Sequence, residues 1–252
     1  RISLCKKKEM KLSIRKIFNK IVSPLNIKLV RVHTAYSTDF NDTLVEDLLS
    51  NKITQLNKIS SLSDNIRGMI NARAGEELFS LAYMQSLSGD VVEVGSFQGK
   101  STFFLGHAVK MSGNGKMYAI DHFKGNVGKE HYYKVSKDDL SDLEIGFQEN
   151  IKKANLTEVV TLINKPNFEA VREIKDNSIR FLYIDADHTA DGVRKDLNLF
   201  KNKLIDGAII AFDDYDNVRF SGLVSVVNEF IAETNIKRKY LIDRTLVVEL
   251  NG

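Results

Sequence analysis

Apolar positions recur at two different spacings along the chain, and the change of spacing divides it. Ile14, Ile17, Phe18, Ile21 and Val22 repeat at helical spacing, Lys11, Arg15, Lys16 and Lys20 take the other faces, and Pro24 ends the pattern. Leu44, Val45, Leu48 and Leu49, then Leu78, Leu81, Ala82 and Met84, keep the same period, which predicts helices across 42–87. From Asp90 short β-rich runs alternate with amphipathic stretches, the pattern of repeated βα units around a mainly parallel sheet. The predicted strands are 91–94, 116–120, 159–163, 181–184, 208–212, 239–242 and 245–249. Only Asp243 and Arg244 separate the last two, which predicts an antiparallel hairpin closing one edge. The fold class is therefore α/β, a Rossmann-like, doubly wound, mainly parallel seven-stranded sheet with a C-terminal antiparallel hairpin, preceded by N-terminal helices. The boundaries that follow are a basic extension at 1–41, helices at 42–87 and the sheet domain at 88–252, with the change of texture at Ser88-Gly89-Asp90.

Composition narrows the chemistry. The 252 residues, 43% hydrophobic and 27% charged, suit one large globular domain with an appendage. The single Cys5 excludes an internal disulfide and a thiolate zinc cluster, so a reducing, cytoplasmic compartment is expected and any metal would need oxygen or imidazole ligands. Apolar runs such as 208–212 are strand-sized and charges interrupt the N-terminus, so neither a membrane span nor a secretory leader is expected; Met10 is a candidate start.

Charge is uneven. Residues 1–31 hold ten Lys/Arg against one Glu, a surplus of nine in a chain of net charge +3, so the rest carries about −6. The basic amphipathic helix either packs on the body with a solvated face or docks on a membrane surface or a partner. The acidic body lacks the basic stripe that phosphate contacts demand, so nucleic acid is not an expected partner. A small-molecule acceptor is, and a homodimer is compatible with the pattern.

In Val91-Val92-Glu93-Val94-Gly95-Ser96-Phe97-Gln98-Gly99-Lys100-Ser101 an apolar strand enters a turn with glycines four apart and then a helix. Open α/β sheets bind ligands at such carboxyl ends. A dinucleotide site would want glycine at the middle position, where this chain has Phe97, and Glu93 would repel a pyrophosphate; a cationic amino-acid head with a sulfonium would welcome it. The next strand ends in Ile120-Asp121, where a carboxylate can hold both hydroxyls of a ribose. Glycines packing a βα turn and an aspartate capping a loop are the plainer alternatives.

Over residues 72–250 the sequence resembles the class I S-adenosylmethionine-dependent methyltransferases. The resemblance implies that Glu93, Gly95, Ser96 and Gly99, with Ser101 of the same run, line the methionine end of the cofactor, that Asp121 holds the ribose, and that a residue of Asn164-Lys165-Pro166-Asn167 meets the adenine edge.

Two further strand ends are acidic: Tyr183-Ile184-Asp185-Ala186-Asp187-His188 and Ala211-Phe212-Asp213-Asp214-Tyr215. On neighbouring strands Asp185, Asp213 and Asp214 would crowd three like charges, a repulsion that Mg²⁺ or another hard divalent cation relieves. Helix capping is the alternative, above all for Asp187. Asp185-Ala186-Asp187-His188 followed by Gly192-Val193-Arg194-Lys195-Asp196-Leu197 is similar to metal-dependent O-methyltransferases, most of all those acting on macrolide and aminocoumarin sugars. The likeness implies Asp185, Asp213 and Asp214 as metal ligands and Asp187 or His188 as general base, with catechol-type enzymes differing by Asn at the place of Asp214. The expected activity is O-methylation of a small hydroxylated acceptor, a sugar or natural-product or glycan moiety. The competing readings are a nucleoside-binding scaffold without catalysis and a hydroxylase-like homologue. The stretch from His122-Phe123-Lys124-Gly125-Asn126 to His131-Tyr132-Tyr133 either closes on the acceptor or packs its aromatics on the core, and His33 and His107 are read as structural.

Overall fold

In the computed structural model, residues 54–125 and 142–252 are described. The basic run at 11–22, the helical run at 44–49, Cys5, Met10, His33 and the segment with His131, Tyr132 and Tyr133 lie outside them. The chain divides into two compact units, 1–62 and 63–252. In the first, the described residues 54–62 are helical; the second holds the sheet.

That unit runs α1 (Ala72–Met84), β1 (Asp90–Val94), α2 (Lys100–Ser112), β2 (Met117–Ile120), α3 (Leu143–Lys153), β3 (Val160–Ile163), α4 (Asn167–Ala170), β4 (Ile179–Ile184), α5 (Ala190–Phe200), β5 (Leu204–Phe212), α6 (Ser221–Glu233), β6 (Ile236–Ile242) and β7 (Thr245–Leu250). The seven strands form one sheet in the order β3-β2-β1-β4-β5-β7-β6. β7 is antiparallel to both β5 and β6, and the other pairs are parallel. The Rossmann-like sheet and its terminal hairpin are as the sequence predicts.

Local chemistry sets the elements. Asn71 caps α1 by accepting the Ala74 N–H at 2.9 Å. Gly99 opens α2 and Gly113 closes it, both left-handed at φ 83° and 63°. The central strands read as apolar runs because both faces are covered: Val91, Val92 and Val94 of β1 and every residue of β4 are buried. α5 and α6 cover one face over Val193, Leu197, Phe200, Leu223, Val226 and Val227.

Two strands begin three or more residues earlier than predicted. β5 starts at Leu204 rather than 208, its register to β4 jumping between the Ile179–Leu204 and Phe181–Ile209 pairs around Gly207 at φ 76°. β6 starts at Ile236 because it is an edge strand whose Lys237, Arg238 and Lys239 are exposed, so its polar half carries no apolar signal.

Sequence order reverses between β1 and β4, which places the ligand crevice of such a sheet outside the carboxyl ends of these two strands. No described helix is long and apolar enough to cross a membrane.

Candidate active site

At the end of β1 the backbone of Gly95 has φ 93°, and a Cβ there would lie 2.2 Å from the Asp185 carbonyl oxygen. Only glycine lets the end of β1 pass so close to the end of β4. The two acidic constellations, far apart in sequence, are thereby neighbours: the Gly95 N–H donates to Ile120 O and the Asp185 N–H to Val94 O, each at 2.9 Å.

Asp121 fixes the rest of the turn. Its Oδ2 accepts the Ser96 and Phe97 N–H groups at 3.0 and 2.8 Å, and its Oδ1 the Phe123 N–H at 2.7 Å. Phe97 is left-handed at φ 47° and lies under the Arg67 guanidinium, 5.4 Å from the ring centre. Ser96 and Ser101 are buried, Ser96 Oγ donating to Ile120 O at 3.4 Å. Gly99 offers no side-chain cap, so the first amides of α2 face the turn as an anion-seeking helix terminus.

Glu93 is fully buried. Its Oε2 accepts from Thr102 Oγ1, while Oε1 is sealed from solvent without a hydrogen bond. Burial pushes its carboxyl up to about 7 against the pull of the Ser101 and Thr102 hydroxyls.

Past β4 and β5, the ligand atoms of Asp185, His188 and Asp213 all lie within 4.8 Å of one another. His188 Nε2 is 3.6 Å from Asp185 Oδ1, and its ring stacks on Phe220 with centres 4.6 Å apart. Tyr183 donates its hydroxyl to Asp185 Oδ2 at 3.4 Å, and Thr245 donates to Asp213 Oδ1 at 3.1 Å. Burial and then the charges of Asp213, Glu93 and Asp214 hold the Asp185 carboxyl well above the usual carboxylate range. Burial and Asp214 raise Asp213, which His188 and Thr245 partly restrain. Tyr183 is pushed well up by burial and by Asp185.

The remaining predicted residues are placed differently. Asp214, left-handed at φ 53°, pairs with Arg244 of the β6–β7 turn, Oδ1 to Nη1 at 3.2 Å. Asp187 Oδ1 accepts the Thr189 N–H at 2.9 Å, and its carboxyl packs on Gly192 at the start of α5. Thr189 is the cap of that helix, accepting the Gly192 N–H at 3.1 Å. Asn167, in the predicted adenine stretch, donates to buried Asp196 at 2.8 Å. Phe123 is buried beside Phe147, 6.1 Å between ring centres. His107 lies on α2 edge-on to Phe103, where burial and Lys110 lower it to about 4.

Sequence reasoning did not find Tyr183, Thr245, Phe220 or Arg244. Tyr183 is hidden in an apolar strand, and the others reach the site only through the sheet order. The hairpin turn alone gave a signal, by placing Arg244 at the edge of the sheet.

A family model described as a methyltransferase domain matches residues 92–215. The chain carries a methyltransferase domain. The methyltransferase shares its fold with the O-methyltransferase NovP at 19% identity and a TM-score of 0.60, over 73% of this chain and 82% of that one. An O-methyltransferase from Bacillus cereus in complex with SAH matches at 16% identity and a TM-score of 0.55, over 83% and 97% of the two chains. TomG from Streptomyces achromogenes, an O-methyltransferase involved in tomaymycin synthesis and bound to SAM, matches at 12% identity and a TM-score of 0.55, over 78% and 89%. The residues present fit the cofactor: a backbone cradle at Gly95 that a Cβ would fill, a buried carboxyl oxygen without a partner at Glu93 and an uncapped helix terminus at α2.

Proposed function

We propose that this methyltransferase moves the methyl group of S-adenosylmethionine to a hydroxyl of a small acceptor, a sugar or natural-product moiety, with a divalent cation such as Mg²⁺ at the carboxylate cluster. The observation that carries the reading is the convergence of Asp185, Asp213 and His188 within 4.8 Å just past β4 and β5, of which β4 adjoins β1 and its Gly95 turn. The two neighbouring carboxylates fit a hard cation and are costly without one, which leaves the imidazole beside them for proton transfer. NovP and TomG, both O-methyltransferases by description, favour a hydroxyl acceptor, and the synthesis of tomaymycin favours a natural product.

The bound cofactor supplies a methyl group activated by its sulfonium charge, and a divalent cation would offset the carboxylates and lower the pKa of an acceptor hydroxyl. The chain's own residues do the rest. The α2 terminus and the Ser96–Gly99 turn receive the carboxylate of the methionine part, and Asp121, anchored by three backbone N–H groups, turns the remaining lone pair of Oδ1 to the ribose. His188, with Nε2 turned to the carboxylates, takes the hydroxyl proton as the O–CH₃ bond forms and the S–CH₃ bond breaks; the products are the methyl ether and S-adenosylhomocysteine. Asp187, whose Oδ1 accepts the Thr189 N–H, is the alternative base. Cys5 as the only cysteine fits a cytoplasmic setting.

The test is product mass after incubation with S-adenosylmethionine, Mg²⁺ and a panel of sugars and phenols. One added methylene supports the reading; binding without turnover supports a scaffold, and an added oxygen a hydroxylase. Asp185→Ala is expected to abolish any metal stimulation, and full turnover in chelator would remove the cation from the account.

A further inference from the structure

We propose that Tyr183 makes the carboxylate cluster selective for a small divalent cation, its buried hydroxyl holding Asp185 and Asp213 in one arrangement from inside the sheet. The inference rests on the cation reading just given and concerns which ion the site takes.

Sheet register carries it. Tyr183 stands between Glu93 of β1 and Ala211 of β5. The ladder runs on past both strands, the Asp185 N–H donating to Val94 O at 2.9 Å and the Asp213 N–H to Ile184 O at 3.0 Å, so the side chains keep alternating. Asp185 and Asp213, two residues on from Tyr183 and Ala211, therefore share the face of the tyrosine, one step outward. The tyrosine is fully buried, and at its level β5 offers only the methyl of Ala211. The hydroxyl donates to Asp185 Oδ2 at 3.4 Å. It acts on the second carboxylate too: burial and then Asp214 push Asp213 up, and the Tyr183 hydroxyl is among the groups that hold it down. From β7, Thr245 donates to Asp213 Oδ1 at 3.1 Å.

Each carboxylate thus has one oxygen held by a neutral hydroxyl and keeps the other for a ligand. Carboxylates free to turn adapt to cations of several sizes; a pinned pair fits a narrow range. Mg²⁺ demands near-ideal octahedral geometry at about 2.1 Å, whereas Ca²⁺ accepts flexible geometry at about 2.3–2.6 Å. As a positioning residue Tyr183 favours the first, and a phenol does so without adding charge to a crowded site.

The experiment is Mn²⁺ titration of the full chain followed by electron paramagnetic resonance, with Mg²⁺ and Ca²⁺ as competitors and folding checked by circular dichroism. From the unaltered chain Mg²⁺ is expected to displace Mn²⁺ at lower concentration than Ca²⁺ does. Tyr183→Phe keeps the ring and is expected to weaken Mg²⁺ about tenfold, as loss of an outer-shell partner does, while Ca²⁺ changes less than about twofold. A tyrosine that served packing alone would leave the ratio of the two affinities unmoved. Unchanged binding in Tyr183→Phe, equal loss of both ions, or Ca²⁺ displacing Mn²⁺ from the unaltered chain as readily as Mg²⁺ overturns the proposal, and in each case Mn²⁺ binding leaves the carboxylate site standing. No Mn²⁺ binding to the unaltered chain overturns both.

Discussion

The two ends of the sheet bury charge at similar depth and to opposite effect. At the amino end Arg180 of β4 is fully buried, and its guanidinium donates to the carbonyls of Gly89, Ala82 and Asn114 at 2.9, 2.5 and 3.2 Å and to Gln85 Oε1 at 3.4 Å. Gln85 returns a bond to Arg180 O at 2.8 Å, and Asn114 donates to Leu87 O at 2.8 Å, so one cation is wrapped in satisfied neutral acceptors. At the carboxyl end burial and the charges of Asp213, Glu93 and Asp214 raise the affinity of Asp185 for protons, burial and Asp214 raise that of Asp213, and Glu93 keeps an oxygen without a bond. A buried charge supplied with partners joins elements of the fold; buried charges left in mutual repulsion are kept for something the folded chain alone does not contain.

The largest test of this contrast is Arg180→Met. It takes the guanidinium from three carbonyls, that of Ala82 buried and those of Gly89 and Asn114 partly so, and is expected to cost about 4 kcal/mol of unfolding free energy, read by urea denaturation. A cost under about 1 kcal/mol would show that the amino end is not the anchor described. Next comes Glu93. Its carboxyl ordinarily titrates near 4.5 and is raised to about 7 by burial, so between these values the native state holds a proton that the unfolded chain has lost. Stability is therefore highest below the lower value and declines as pH rises through the higher one, by roughly 3 kcal/mol. Glu93→Gln should flatten that part of the stability profile, and an unchanged slope would assign it to other groups.

How much of this is legible in the sequence depends on what each residue's neighbours are. The carboxyl ends of β1, β2, β4 and β5 are visible because an apolar run stops at an acid in each case, at Glu93-Val94, Asp121, Asp185 and Asp213. The beginning of β4 is not, since a charged residue inside a strand reads as a boundary, and the predicted strand starts at 181, just past Arg180. Only the sheet shows that this arginine has four acceptors waiting. Glu93 was visible as an acid at the turn, but its direction toward Thr102 depends on how α2 folds back over β1. The adjacency of Asp185 to Gly95 follows from β4 pairing directly with β1, which spacing along the chain does not specify. The pairing of Asp214 with Arg244 is likewise invisible, because the partner arrives from a turn thirty residues away in sequence.

Neutralising the other end should have the opposite sign. Asp185→Asn removes one of the repelling carboxylates and is expected to raise stability by about 1 kcal/mol while lowering methyl transfer about 100-fold, the exchange of stability for activity seen at ligand sites. Thermal unfolding in chelator and a turnover assay read the two halves. Loss of stability together with activity would mean that Asp185 serves the fold as Arg180 does.

The smallest effect concerns how each end fixes its central side chain. Four hydrogen bonds hold Arg180, whereas the imidazole of His188 rests with one face on Phe220, 4.6 Å away and 23° from parallel, at the residue preceding α6. Such an aromatic pair is worth about 1 kcal/mol, and the replacement Phe220→Leu keeps most of the apolar volume while removing the flat surface. Because Phe220 is only half-buried, global stability should move by less than about 0.5 kcal/mol. An imidazole no longer held at one angle to the carboxylates would meet the acceptor proton in fewer encounters, so kcat should fall about fivefold, with KM for S-adenosylmethionine unchanged because the Gly95 turn is untouched. Should kcat hold while stability drops, Phe220 would belong with the packing of α6, and the carboxyl end would share more of the amino end's logic than the charges suggest.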